Sequence, residues 1–230
     1  MNKISIVIPI LNEAEFITKL LRHLIDNTNP RNISEIIVVD GGSTDGSQKL
    51  VSNFGNIILL NSEKGRAKQM NFGVKQVTGN VLYFLHADSV PPKHFDQLIL
   101  NEIQRGNEAG CFRMQFNSNH WWLKLASWFT QYNWRTCRGG DQSLFITKTL
   151  FDAVGGFNED YKIYEDNILI NQLYDRNQFV VINKKLQTSA RMYQKHGIWK
   201  LQFHYWAIYL KKWLGADANA LFRYYKKHIS

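Results

Sequence analysis

Carboxylates recur in this sequence just past short apolar, β-branched runs. Ile4 to Ile10 leads to Asn12 and Glu13, Ile36 to Val39 to Asp40, Ile57 to Leu60 to Asn61 and Ser62, and Val81 to Leu85 to His86 and Asp88. A hard carboxylate such as Asp88 suits Mg²⁺, an ion that bridges phosphates while keeping waters. A nearby histidine, His86, shifts the preference toward Mn²⁺ or another transition ion. The structural alternative for Asp88 is a turn cap ahead of "VPPKHF", where Pro91 and Pro92 can open a helix. Asp40 stands where an acid can accept from a nucleobase N–H or a ribose hydroxyl. "YEDN", residues 164–167, puts Glu165 and Asp166 in the first turn of a helix, either to suit the macrodipole or as a general base within reach of a hydroxyl proton.

Three further stretches carry candidate polar groups. "EKGRAKQMNFG" (residues 63–73) places Lys64, Arg66 and Lys68 at a helix start, suited to anions or to a solvated basic face. "DGGSTDG" (residues 40–46) fails the dinucleotide fingerprint and the phosphate-loop pattern, because Ser43 and Ser47 stand where glycine and lysine are needed. What remains is an acid, a tight glycine turn, and Ser43 or Thr44 as a helix N-cap. "CRGGDQSLF" presents Asp141 and Gln142 before a strand, to meet an acceptor or only to close a turn.

The elements that must position these groups follow from periodicity. In the first hundred residues the four apolar runs alternate with "EAEFITKLLRHLID", "STDGSQKLVSNF" and "GRAKQMNFGVKQ", each with apolar residues at three- and four-residue spacing. Strand, helix and strand repeated in this way predict right-handed crossovers and a mostly parallel sheet covered by helices on both faces. Ligands of such sheets bind beyond the carboxyl ends of the strands, where the acids fall. In the second half, "AGCFRMQF" and "QSLFIT" read as strands, "HWWLKLASWFTQYNW" and "YEDNILINQLYDR" as helices, and "GGFNEDY" as a loop.

With 230 residues, 44% of them apolar, the chain reads as an α/β domain over residues 1–190, with halves 1–90 and 91–190, and a helical appendage over 191–230. The start reads as a first strand and not a signal peptide. The two cysteines lack metal spacing, which leads us to expect reduced thiols and a cytoplasmic setting. Net charge is +9, of which residues 191–230 supply +7 through eight Lys/Arg against Asp217 alone. In that tail Trp199, Phe203, Trp206, Leu210 and Trp213 share one helical stripe. The uncharged run is too short to span a bilayer. It either lies in an anionic membrane interface or packs on the domain's own core, with single-stranded nucleic acid ranked third.

In order, "SIVIPILNEAE", "IIVVDGGSTDGS", "KGRAKQMNFG", "YFLHADS" and "GGFNEDYKIYEDN" resemble a family 2 glycosyltransferase of the GT-A fold, in particular small single-domain bacterial members with a His-Ala-Asp metal motif. The resemblance implies an inverting transfer from a UDP or GDP sugar to an acceptor hydroxyl, assisted by Mn²⁺ or Mg²⁺; the tail and the aromatic residues fit a lipid-linked acceptor, and a soluble glycan or small hydroxylated molecule fits nearly as well. It implies a nucleotide pocket of Pro9, Leu11, Asn12, Glu13, Asp40, Gly65, Arg66, Gln69 and Ala87, a metal site of Asp88 with His86, and Asp166 as the catalytic base with Glu165 beside it. It further places Arg191 and His196 on a loop over the diphosphate, and expects no nucleic acid partner. Two departures stand out: Asp40-Gly41 where the family usually has two acids, and His86-Ala87-Asp88 where it usually has Asp-x-Asp. The rival readings are a nucleotidyltransferase, a non-enzymatic membrane or nucleic-acid binder that uses the tail, and an inactive transferase.

Overall fold

The computed structural model describes residues 2–139 and 142–229, so Asp141 lies outside the described residues. The first half runs β1 (Ile4–Ile10), α1 (Ala14–Asp26), β2 (Ile33–Asp40), α2 (Ser47–Ser52), β3 (Ile57–Asn61), α3 (Arg66–Val74), β4 (Val81–Phe84), β5 (Ser89–Val90) and α4 (Phe95–Gln104). The second half runs β6 (Ala109–Phe116), α5 (Trp121–Phe129), a 3₁₀ turn (Arg135–Cys137), β7 (Leu144–Thr147), α6 (Lys148–Ala153), α7 (Glu165–Asp175), β8 (Val180–Thr188), α8 (Arg191–His196), α9 (Ile198–Trp213) and α10 (Ala218–His228).

One eight-stranded sheet has the order β3-β2-β1-β4-β7-β6-β8-β5. Its first four strands are parallel, as the alternation predicted, and β6 with β8 is a fourth parallel pair. β7 inserts antiparallel between β4 and β6, and β5 closes the far edge antiparallel to β8. β1 is buried on both faces, so its side chains feed two cores in alternation. Ile4, Ile6, Ile8 and Ile10 meet Ile17, Leu20, Leu21 and Leu24 of α1 and Phe95 and Ile99 of α4. Val7 turns to the opposite side, with Ala67 and Met70 of α3 and Leu169 and Leu173 of α7. The apolar positions of α1 recur at three- and four-residue steps, which gives the helix a single core-facing stripe. A third core joins Met114 and Phe116 of β6 and Leu123 of α5 to Tyr193, Leu201, Ile208 and Leu221 of the last three helices.

Three local expectations are corrected. Neither Ser43 nor Thr44 caps a helix: α2 starts after Gly46 at φ +88°, and Ser43 is claimed by Asp40. Pro91 and Pro92 do not open α4, because Ser89 and Val90 pair with Thr188 and Gln187 and keep the chain extended; the helix begins only after left-handed His94. Residues 191–196 form helix α8 and not a loop.

Close approach of α3 to the sheet depends on Gly73, where an added Cβ would lie 2.7 Å from Val7 Cγ1 and 3.0 Å from Val39 Cγ2. Alanine in a helix interior is ordinarily favoured over glycine by about 1 kcal/mol, but here overpacking should reverse the sign. Gly73→Ala is expected to lose about 1–3 kcal/mol in urea unfolding at unchanged m-value. A stabilised variant would show that α3 has room to move.

Candidate active site

The carboxyl edge of the parallel strands collects most of the groups singled out in the sequence. Asp40, at the end of β2, is almost fully buried. It accepts from the backbone N–H groups of Gly42 (2.9 Å) and Ser43 (2.9 Å), from Gln48 Nε2 (2.6 Å) and from the Ser43 hydroxyl. Burial pushes its carboxyl up, and the donated hydrogen bonds outweigh burial and hold it below the ordinary 3.8. Asp40 is therefore a fixed anion at the floor of the site.

Gln69 lies beneath the same edge, buried, and its Nε2 donates to the carbonyls of Ile10 and Val39 (both 2.8 Å), tying the ends of β1 and β2 together. It also accounts for one departure from the family pattern. A Cβ at Gly41 would stand 3.0 Å from the Gln69 amide carbon, so a second acid after Asp40 would press on the amide that makes that strand tie.

Past Pro9 in β1 and Leu11, the chain turns through Asn12 in the left-handed region at φ +58°. Asn12 N donates to Ser43 Oγ (2.8 Å), and its Oδ1 accepts from Thr44 N (2.8 Å). Glu13 N donates to Ser47 Oγ (2.9 Å) and Ala14 N to Asp45 Oδ2 (2.9 Å). The "STDGS" loop thus supplies, across space, the acceptors that the start of α1 lacks locally. The Glu13 carboxylate is left to face the site.

Asp88 and Glu13 are held by one arginine. Arg191 forks onto Glu13 (Nη1–Oε2 2.7 Å, Nη2–Oε1 2.6 Å), sets Nε 3.2 Å from Asp88 Oδ2, and lies 4.8 Å from the Phe16 ring centroid. The Glu13 hydrogen bonds raise its pKa. The topology explains the meeting: Ser89 pairs with Thr188 at the β5–β8 edge, their hydroxyls 3.0 Å apart, so Arg191 starts α8 three residues after the partner of Asp88's neighbour. His86 and buried Ala87 form the turn between β4 and β5.

Among the described residues no three His, Cys, Asp or Glu side chains gather into a metal cage. One carboxylate at an open edge nonetheless suits an ion that takes its remaining ligands from a diphosphate and water. Asp88 is the residue that would hold it.

The acid pair sits on the neighbouring side. Tyr164, left-handed at φ +71°, opens α7, and Glu165 and Asp166 follow, both largely buried. Arg66, the first residue of α3, reaches them with Nη1 3.5 Å from Glu165 Oε1 and 3.8 Å from Asp166 Oδ2. Gly65 at φ +143° makes that helix start possible. Asn71 pins the "GGFNEDY" loop to α3, donating Nδ2 to Phe157 O (2.8 Å) and accepting from Phe157 N (3.0 Å). Asn71 was not singled out in the sequence, and only its place on a helix surface beside Arg66 could have suggested it.

Gln142 is buried, accepting from Arg138 Nη1 (2.9 Å) and donating to Cys137 O (2.9 Å). His196 ends α8 with Nε2 buried and without a hydrogen bond.

The chain is similar to several known proteins. The profile of Glycosyl transferase family 2 matches residues 5–159. The chain is 27% identical over 193 residues to an undecaprenyl-phosphate 4-deoxy-4-formamido-L-arabinose transferase of Proteus mirabilis, covering 79% of this chain and 55% of that protein. It is 32% identical over 112 residues to a dolichyl N-acetyl-alpha-D-glucosaminyl phosphate 3-beta-D-2,3-diacetamido-2,3-dideoxy-beta-D-glucuronosyltransferase of Methanococcus voltae, covering 46% of this chain and 35% of that one. The chain thus spans about half or less of these relatives' lengths. In fold it matches the mannosyltransferase PcManGT of Pyrobaculum calidifontis, solved with GDP-Man and Mn²⁺, at a TM-score of 0.67 and 16% identity over 94% of this chain and 66% of that one. The mixed sheet with acids along its carboxyl edge is a GT-A fold, and the chain belongs to glycosyl transferase family 2.

Proposed function

We propose that this chain transfers a sugar from a nucleoside-diphosphate sugar to an acceptor hydroxyl with inversion at the anomeric carbon. The observation that carries this is that Arg66, which opens α3 at the carboxyl edge where β2 ends in Asp40, reaches the Glu165–Asp166 pair of α7. Asp40 receives the nucleoside, with Asn12 and Glu13 shaping the wall beside it. Arg191, already poised over Asp88, offers its guanidinium to the diphosphate and offsets the charge that develops on the leaving group. A divalent ion on Asp88, Mn²⁺ or Mg²⁺, would add Lewis-acid neutralisation of the same oxygens. Asp166 takes the proton of the attacking hydroxyl, and a single displacement from the opposite face inverts the centre, unlike the double displacement of retaining glycosidases.

A lipid-linked acceptor is favoured by the relatives, whose names specify undecaprenyl-phosphate and a dolichyl phosphate sugar. A hydroxyl on such a sugar needs a base, whereas a phosphate oxygen is already anionic near neutral pH. The built acid pair therefore supports the hydroxyl.

Asp166→Asn is expected to lower kcat at least about a hundredfold while UDP or GDP affinity measured by calorimetry stays within about twofold of wild type. Full turnover in that variant would remove the base. Arg191→Gln leaves Glu13 and Asp88 facing each other without their shared cation. It should cost no more than about 1 kcal/mol, because the pair is partly solvated. The deficit should be greatest at low ionic strength and shrink in high salt, which screens partly solvated pairs. Urea unfolding at the two salt concentrations measures this, and a deficit independent of salt would show that the ion pairs are not its cause.

A further inference from the structure

The last long helix carries an inner-type surface on its outer side. Leu201 and Ile208 of α9 are buried in the third core. By the 3.6-residue period, Trp199, Phe203, Trp206, Leu210 and Trp213 centre on the opposite side of the helix, and each is 51–81% exposed. A water-facing helix side is ordinarily polar. This one is extended by exposed Trp121 of α5, whose ring lies 5.8 Å from that of Trp199, and by Leu214 just past the helix end.

The charges around the face point to its partner. Helices α5, α8, α9 and α10 carry nine Lys/Arg and no Asp or Glu. Lys200 and Lys211 flank the stripe and are exposed. A symmetric contact with a second copy would bring these cations together with no acid on the same helices to pair with them, which disfavours it. Trp-rich apolar surface with a lysine rim matches the boundary between acyl chains and anionic headgroups. No helix among the described residues is long and apolar enough to cross a membrane, and α9, about 24 Å long by its rise per residue, would lie along the surface.

We infer that the Trp199–Trp213 face of α9, with Trp121, docks on an anionic bilayer. Its relation to the site gives the docking a purpose, and that purpose rests on the proposed lipid-linked acceptor. Tyr209, on the flank of α9, donates to Asn167 Oδ1 (3.2 Å), next in sequence to Asp166, and Lys212 Nζ donates to Tyr161 Oη (2.6 Å). A docked α9 would hold the catalytic acids beside the headgroup layer.

The test is co-sedimentation of the full chain with vesicles of phosphatidylcholine alone or mixed with phosphatidylglycerol. Wild type is expected to bind the mixed vesicles and not the neutral ones. The surface variant Phe203→Ser/Leu210→Ser/Trp213→Ser and the charge variant Lys200→Glu/Lys211→Glu should each lose at least about tenfold in binding, with melting temperatures unchanged. Equal vesicle binding by wild type and the surface variant would overturn the docking face. So would a wild-type dimer that the surface variant dissociates, or binding to a single-stranded oligonucleotide with none to vesicles. Nucleotide titration of the same preparations separates the two proposals: vesicle binding without nucleotide binding keeps the docking and removes the transferase reading.

Discussion

Carboxylates gathered at one edge repel one another, and two guanidiniums, each from the other half of the chain, keep them together. Arg66 of α3 crosses to Glu165 and Asp166 at the start of α7, and Arg191 of α8 crosses back to Glu13 and Asp88. Neither pair is local, so the site exists only when both halves are folded. Each contact is also part-exposed, and such pairs contribute little net stability. Their role is position: they fix where the acids stand while packing of the three cores supplies the free energy of folding.

The same edge tolerates backbone conformations that side chains usually avoid. Asn12 and Tyr164 are both left-handed, and each immediately precedes acids of the site. Such strain persists only where surrounding contacts over-determine it. For Asn12 those contacts are with Ser43 and Thr44. For Tyr164 the neighbours include the Tyr209 ring, 5.2 Å away centroid to centroid, which couples the acid pair to α9. The appendage is thereby joined mechanically to the acid pair, as Arg191 joins it to Glu13 and Asp88.

Much of the fold could be read in the sequence because its first four strands are short β-branched runs between amphipathic helices, a pattern with few other solutions. β8 escaped notice because its exposed lysines, Lys184 and Lys185, interrupt the apolar signal. The two-residue β5 has no periodicity at all, yet its pairing with β8 delivers Arg191 to Asp88. Among the candidate residues, Asp40, Asp88, Arg66 and the Glu165–Asp166 pair could be singled out from type and place. The Glu13–Arg191 fork spans 178 positions and could not be. Gln69 was expected beside the nucleotide pocket, and its amide ties the ends of β1 and β2. The aromatic stripe of α9 was legible as periodicity, but which way it faced was decided by the third core.

The most direct test is calorimetric titration of the chain with UDP, GDP and their common sugar conjugates, with and without Mn²⁺, repeated with Asp88→Ala. Binding of one nucleotide that strengthens with the ion, and loses that dependence in the variant, is the expected result. Absence of nucleotide binding under all of these conditions would contradict a donor site at this sheet edge.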